Sequence, residues 1–137
     1  MTADISPGDQ LANAALAFVG VPFRLHGRDP LANLDCVGLV SASLAAIERP
    51  AAAPSGYGLR NLSISAWLPA IEAAGFIPAN GDLTRGDLVL VSPGAGQTHF
   101  AIADFSPWFI HAHAGLKRVV REPIRIAAPP QGHWRLT

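Results

Sequence analysis

The sequence predicts an α+β fold in which N-terminal helices pack on a small antiparallel sheet, or open barrel, of about five strands. Up to residue 75, apolar residues recur at helical spacing. After residue 80 the chain has short segments rich in β-branched and aromatic residues, separated by proline and glycine. Since half of the 137 residues are hydrophobic and 15% are charged, we expect one compact domain over residues 1–137.

The first helix is predicted in the stretch SPGDQLANAALAFVG because both of its ends carry signals. Ser6 is suited to cap the helix and Pro7 to its first position, and Gly20 is suited to the turn that ends it. Residues spaced at i, i+4 and i+7 give this helix an apolar face: Leu11, Ala15 and Phe18.

The second helix is predicted to begin near Asp35 and to end before Pro50. The stretch in front of it, VPFRLHGRDPLANL, mixes proline, glycine and charge and predicts a loop. One apolar stripe runs along the helix and would face the core. The stripe consists of Val37, Val40, Leu44 and Ile47.

The third helix is predicted in SAWLPAIEAAG, with Ser63 or Ser65 as its cap and Gly75 at its end. Pro69 lacks a backbone N–H and is tolerated only in about the first turn of a helix. We therefore expect this helix to begin shortly before the proline.

Four segments predict the antiparallel strands. They are short, rich in branched and aromatic residues, and bounded by proline or glycine. In chain order they are GDLVLVS, THFAIADF, WFIHAHA and LKRVVREPIRI. Their close succession indicates a meander or a small barrel.

Composition excludes several classes of partner. Ten basic and ten acidic residues cancel and no basic run is present, so we expect no nucleic-acid partner. No apolar stretch approaches the roughly 20 residues of a membrane span, so we expect no membrane insertion. The acidic start, MTADISPGDQ, does not resemble a secretory signal, so we expect a protein that is cytoplasmic as synthesised.

The one cysteine of the chain, Cys36, lies at the predicted start of the second helix. Unpaired N–H groups and the helix dipole favour negative charge there, so we expect the pKa of the thiol to be lowered. Gly38, two residues on, leaves room for another chain to approach. A buried structural cysteine is the alternative, because free cysteine is among the most buried residue types.

Three of the five histidines lie where a base for that cysteine is needed. His99 opens a predicted strand, and His111 lies on a strand predicted to pair beside it. His111 could then hydrogen-bond the ring of His99. His113 points to the same face as His111 and competes for that role.

Three stretches in this order resemble the NlpC family of bacterial cell-wall cysteine peptidases: VPFRLHGRDPLANLDCVGLV, RGDLVLVSPGAGQTHFAIAD and FIHAHAGLKRVV. The resemblance covers most of the chain. The short, single-domain form of the chain is similar to phage-associated members of this family. It implies a compact papain-like fold and hydrolysis of the bond between D-glutamate and a diamino acid in a peptidoglycan stem peptide. It implies no cofactor and no metal.

The resemblance also implies roles for individual residues. Cys36 would be the nucleophile, His99 the base, and His111 the residue that orients His99. The backbone N–H of Cys36 would stabilise the oxyanion. The residues expected to contact substrate are Asp35, Arg24, Arg28, Phe23 and His113. For Asp35, a role as helix N-cap is an equal alternative.

The sequence departs from the family motif at three points. Phe23 replaces the usual tyrosine, so a hydroxyl that can assist the oxyanion is missing. The usual Trp-Gly-Gly is Leu25, His26 and Gly27, and the serine after the cysteine is Val37. These changes bear on rate and specificity more than on the class of reaction.

Three other functions remain open. Cys36, His99 and His111 or His113 could form a zinc centre, although the only acidic residue near these histidines in sequence is Asp104. The domain could be a non-catalytic cell-wall or phage-tail module, or an acyl transferase with the same cysteine–histidine layout. For a wall enzyme without a signal, a phage-tail-like particle is one carrier.

Overall fold

A computed structural model describes residues 5–51, 64–91, 99–124, 130 and 132–137. Within these residues there are three helices, α1 (Pro7–Leu16), α2 (Cys36–Ala46) and α3 (Ile64–Ala73). A short hairpin of β1 (Arg28–Asp29) and β2 (Asn33–Leu34) precedes α2. The other strands are β3 (Phe76–Pro78), β4 (Leu88–Val91), β5 (His99–Ala103), β6 (Trp108–His113), β7 (Arg118–Pro123) and β8 (Gly132–Leu136).

The predicted start of α1 is confirmed, but the helix ends at Leu16, with Ala17 as its C-cap, four residues before Gly20. The Ser6 hydroxyl accepts a hydrogen bond from the backbone N–H of Asp9 at 3.1 Å, which satisfies one of the unpaired donors of the first turn. Pro7 occupies the first helical position, where no N–H is needed. Gly20 has a φ of 97°, so the chain reverses there at a residue without a Cβ.

Helix α2 begins at Cys36, with Asp35 as its N-cap. The predicted stripe is correct at Val37, Val40 and Leu44, which are fully buried. Leu39 and Ser43 are buried as well. The helix is therefore enclosed on several sides rather than along one stripe.

Helix α3 contains the predicted proline further from its start than expected. Pro69 is the sixth residue of the described helix. Ser65 lies inside the described helix, and Ser63 lies outside the described residues. Trp67 and Ile71 are fully buried, so the packing of this face stabilises the helix despite the proline.

Among the described residues, six strands form one antiparallel sheet in the order β3-β8-β4-β5-β6-β7, and β1 pairs with β2 alone. The run from β4 to β7 is the predicted meander. Two strands of this sheet were not predicted: β8 returns to pair with β4, and β3 pairs with β8. The hairpin of β1 and β2 was not predicted either, since it lies in the stretch predicted as a loop. The α+β prediction is confirmed, with six strands in the sheet rather than about five.

The two faces of the sheet bury different residues. Phe100, Ile102 and Ile110 belong to the main core, together with the buried residues of the helices. Alternate residues, including Ala101 and Phe109, form a second apolar cluster. Because side chains alternate along a strand, His99 shares a face with Ala101 and His111 shares a face with Phe109. No described helix is long and apolar enough to cross a membrane.

Candidate active site

The start of α2 is held in place by the carboxylate of Asp35. This side chain accepts hydrogen bonds from the backbone N–H of Gly38 at 2.7 Å and of His26 at 2.8 Å. The guanidinium of Arg28 donates to it at 2.7 Å. Asp35 is 1% exposed. It is therefore the N-cap of α2 and ties the preceding loop to the helix, whereas substrate contacts of Asp35 and Arg28 stay predictions.

Gly38 leaves space at the start of α2 for the loop that carries Gly27. A Cβ at this position would collide with the backbone carbonyl oxygen of Gly27. The expectation that Gly38 leaves space for another chain is therefore wrong, because the loop that carries Gly27 fills that space. A side chain here would push this loop away from the helix that presents Cys36.

The Cys36 thiol is partly buried at the first residue of α2. Burial raises its pKa to about 12, against the opposing effects of the backbone N–H groups of Phe100 and Val37. The expectation of a lowered pKa is wrong for this site because the cost of burying a thiolate exceeds the gain at the helix N-terminus. The interaction with Phe100 places the sulfur beside the residue that follows His99.

Three histidines gather at the adjoining ends of β5 and β6. The rings of His99 and His111 lie with their centroids 5.1 Å apart and their planes 12° apart. The ring of His113 follows at 5.5 Å from that of His111. Nε2 of His99 and both ring nitrogens of His111 are buried and form no hydrogen bond with any described residue. The predicted hydrogen bond between His99 and His111 is therefore not formed in this structure.

The environment keeps the first two of these histidines neutral. Burial lowers the pKa of His99 to about 4, and the neighbouring His111 and His113 act in the same direction. Burial also lowers the pKa of His111, although Glu122 opposes this. At neutral pH the thiol of Cys36 and the imidazole of His99 are thus both neutral, rather than a preformed ion pair.

Glu122 is a member of the site that was missed in the sequence. Its Oε1 lies 3.2 Å from Nε2 of His111, although without the alignment of a hydrogen bond. In the β6–β7 pairing Glu122 faces Phe109, two residues before His111, so the two side chains are diagonal neighbours on one face. Only the strand register reveals this contact. Asp104, the acidic residue that sequence placed nearest, is paired with Arg85 and Arg121 instead.

Three further residues were predicted to contact substrate: Phe23, Arg24 and His113. Phe23 is partly buried against the main core and forms a bridge with Leu34, two residues before Cys36. Arg24 is exposed. Nδ1 of His113 accepts a hydrogen bond from the backbone N–H of Leu116 at 3.0 Å. The contacts of these three residues with substrate stay predictions.

The zinc alternative finds no support in the geometry. Within the described part of the chain, no three or more histidine, cysteine, aspartate or glutamate side chains are grouped so that they could hold a metal ion. Cys36, His99, His111 and His113 all belong to that part.

Comparison with known proteins connects this geometry to one family. The model of the NlpC/P60 family matches residues 20–134. A search of curated proteins found no match. The crystal structure of the NlpC/P60 domain of the peptidoglycan hydrolase SagA aligns with 96% of this chain and 100% of that one, at 23% identity and a TM-score of 0.64.

Two further solved structures are longer than this chain. NlpC1 from Trichomonas vaginalis aligns over 98% of this chain and 47% of its own, at 16% identity and a TM-score of 0.67. The peptidoglycan hydrolase RipB from Mycobacterium tuberculosis aligns over 93% and 63%, at 22% identity and a TM-score of 0.62. The chain thus spans about half of NlpC1, and at these identities the likeness establishes a shared fold.

Proposed function

The chain belongs to the NlpC/P60 family, and we propose that it is a cysteine peptidase that hydrolyses an amide bond in the stem peptides of peptidoglycan. One observation carries this proposal: a cysteine at a helix N-terminus lies next to the strand that begins with His99, whose ring is flanked by His111. SagA and RipB, which share the fold, are peptidoglycan hydrolases. Both facts favour amide hydrolysis in the cell wall.

The first step transfers a proton and forms a bond. His99, neutral at pH 7, takes the proton of the Cys36 thiol as the sulfur attacks the carbonyl carbon of the substrate. Because the thiol has a raised pKa, the thiolate forms during the attack rather than in the resting enzyme. The carbonyl oxygen becomes an oxyanion, which the backbone N–H of Cys36 and the positive end of α2 stabilise.

The second step breaks the amide bond. The oxyanion re-forms a carbonyl, the C–N bond breaks, and His99 gives its proton to the leaving amine. A thioester joins the acyl group to Cys36. Water, deprotonated by His99, then attacks this thioester and releases the acid together with the free thiol. His111 orients His99 through both steps, which completes a Cys-His-His triad.

The finer assignment is an endopeptidase that cuts between D-glutamate and a diamino acid. Such a substrate carries several carboxylates and an amine close to the cleaved bond. Arg24 is exposed and is suited to bind a substrate carboxylate. Asp35, Arg28 and His113 are the other polar side chains assigned to substrate contact. Phe23 supplies an apolar wall without the hydroxyl of a tyrosine.

We further propose a single catalytic domain over residues 1–137 that is made in the cytoplasm. Its substrate is then either wall fragments inside the cell or intact wall reached with a carrier such as a phage-tail-like particle. The rates at which one preparation cleaves soluble stem peptides and insoluble sacculi separate these two routes. Cleavage of the soluble peptides alone would favour wall fragments as the substrate.

The decisive experiment incubates the protein with purified stem peptides of both diamino-acid types and identifies the products by mass. We expect cleavage after D-glutamate by the wild type and none by Cys36→Ala. Equal products from both proteins would overturn the proposal. Binding without cleavage would identify a non-catalytic module, and a product joined to an added amine would identify an acyl transferase.

A further inference from the structure

We propose that Glu122 is a positioning residue for catalysis, which selects the tautomer of His111 and thereby the atom that His111 presents to His99. The inference rests on the proposed roles of Cys36, His99 and His111, and it adds a fourth member to that set. Glu122 touches none of the reacting atoms and acts through His111.

The contact is built into the pairing of two strands. β6 and β7 pair along their full lengths, from Trp108 opposite Pro123 to His113 opposite Arg118. This register fixes Glu122 diagonally across from His111, with 3.2 Å between Oε1 and Nε2. The His111 side chain is 4% exposed and that of Glu122 is 35% exposed. The carboxylate is therefore partly open to water and near enough to the ring to select its proton position.

His111 needs a partner at this point. Both of its ring nitrogens are buried, and neither forms a hydrogen bond with a described residue. A buried polar atom without a partner lowers the stability of the fold. Since a carboxylate only accepts hydrogen bonds, its position beside Nε2 favours the tautomer with the proton on Nε2. A rotation of the partly exposed Glu122 side chain aligns this bond.

That tautomer leaves the lone pair on Nδ1 of His111. Nε2 of the adjacent His99 is also buried and forms no hydrogen bond with a described residue. When His99 takes the proton of Cys36, its ring becomes positive and needs an acceptor for its second N–H. Nδ1 of His111 is that acceptor in the tautomer that Glu122 selects, and the negative charge of Glu122 stabilises the new positive charge on His99.

The opposite tautomer would present an N–H of His111 toward His99. A protonated His111 would do the same and would also repel the charge on His99. The charged and titratable groups that face His111 are Glu122 from β7, His113 from its own strand and His99 from β5. Of these, Glu122 is the one that bears negative charge.

The test compares Glu122→Gln with Glu72→Gln, which removes the same charge from an exposed position on α3. For Glu122→Gln we expect kcat to fall about 10-fold with KM within about 2-fold, and Glu72→Gln to match the wild type. The acid limb of the kcat/KM profile should move to lower pH in Glu122→Gln. The reason is that Glu122 raises the pKa of His111, so its loss lowers that pKa.

Coupling to His111 distinguishes positioning from general support of the fold. In a His111→Leu background, Glu122→Gln should change kcat less than about 2-fold. An equal loss in both backgrounds, or a loss of kcat without movement of the acid limb, would overturn the proposal. A rise in KM alone would also overturn it, since it would make Glu122 a substrate contact.

A measurement without substrate separates this inference from the proposed function. In the Cys36→Ala protein, the pKa of His111 measured by NMR should be lower when Glu122 is also changed to Gln. If stem peptides are never cleaved while this shift is seen, the proposed function fails and the link between Glu122 and His111 stands. An unchanged pKa in a protein that cleaves its substrate is the reverse outcome and refutes the inference.

Discussion

The same sheet carries two kinds of polar cluster, and they differ in how their polar atoms are paired. The histidine cluster consists of His99, His111 and His113 at the adjoining ends of β5 and β6. The carboxylate clusters are centred on Asp87, directly before β4, and on Asp104, directly after β5. Both carboxylates are almost fully buried, as is His111.

The carboxylate of Asp87 has a cation or a donor on each oxygen. Arg135 donates to both oxygens at 2.9 Å, and Nε2 of His133 lies 2.6 Å from one of them. The backbone N–H of Thr84 adds a bond at 2.8 Å. Burial alone would raise the pKa of Asp87, but these bonds outweigh it, and the pKa lies below its usual range.

Asp104 repeats this arrangement at the other end of β5 from His99. Arg85 and Arg121 each donate through Nε to a different oxygen at 2.6 Å. The two guanidinium groups lie over the rings of Phe105 and Trp108 respectively, at 4.6 and 4.4 Å. The pKa of Asp104 is lowered because the bonds from Arg121 and Arg85 exceed the effect of burial.

This difference indicates what each cluster is for. Paired buried charges hold the strands that carry them and leave no atom for a substrate. The histidine cluster retains buried nitrogens without partners among the described residues, at a cost in stability that a catalytic role would explain. Replacing residues of the two kinds should therefore separate activity from stability.

The largest expected effect is loss of activity in His99→Leu, where the new side chain has a similar volume. We expect kcat/KM to fall by at least about 10³-fold, because the general base is lost. The free energy of unfolding, measured in urea, should remain the same or rise, since an unpaired buried nitrogen is replaced by an apolar group. A variant that is much less stable and still active would reverse the comparison.

The second prediction concerns the carboxylate clusters. Asp87→Ala should lower the free energy of unfolding by about 3–5 kcal/mol, because it leaves Arg135 without its counter-charge and the buried ring of His133 without its hydrogen-bond partner. At low temperature the folded fraction should keep its kcat. Asp82→Ala is the matched control: it removes the same charge from an exposed position and should change stability by less than about 0.5 kcal/mol. Equal stability of both variants would contradict the role given to Asp87.

Much of the fold could be predicted because its signals are local. Ser6, Pro7 and Asp35 act on the helix turn next to them, so the starts of α1 and α2 follow from a few residues. The sheet was harder to predict because its edge depends on distant pairing. β3 is three residues long and pairs with β8, with Phe76 opposite Leu136, so neither strand stands out without the other.

For the site, the identity of the residues was easier to predict than their chemistry. Cys36, His99 and His111 stand in recognisable motifs, and the fold brings their strands and helix together. The pKa of the thiol depends on how deeply the whole fold buries it, and this outweighs the local effect of the helix N-terminus. Glu122 required the register of β6 and β7, which cannot be counted from the sequence before the turn between them is known.

The third prediction tests the neutral resting state of the cysteine and histidine. Because the pKa of Cys36 is raised to about 12, its alkylation by iodoacetamide should accelerate about tenfold per pH unit from about pH 6 to about pH 10. A preformed thiolate–imidazolium pair would instead give a plateau across neutral pH. Since the resting thiol does not depend on His99 for its charge, His99→Leu should follow nearly the same slope. A plateau that disappears in His99→Leu would refute the neutral pair.

The smallest expected effect comes from adding a hydroxyl to Phe23, where the family motif has a tyrosine. Phe23→Tyr adds a hydroxyl to a residue whose backbone forms a bridge with Leu34, two residues before the cysteine. An oxyanion donor already present in an enzyme is worth about 100- to 1000-fold. A donor added to a site that did not evolve around it should raise kcat less than about 10-fold, with KM unchanged. If the hydroxyl instead bonds within the protein, the melting temperature rises and kcat stays constant. That outcome would show that the new hydroxyl is paired within the protein, as the carboxylates of Asp87 and Asp104 are. It would also show that the oxyanion depends on the backbone of α2 alone.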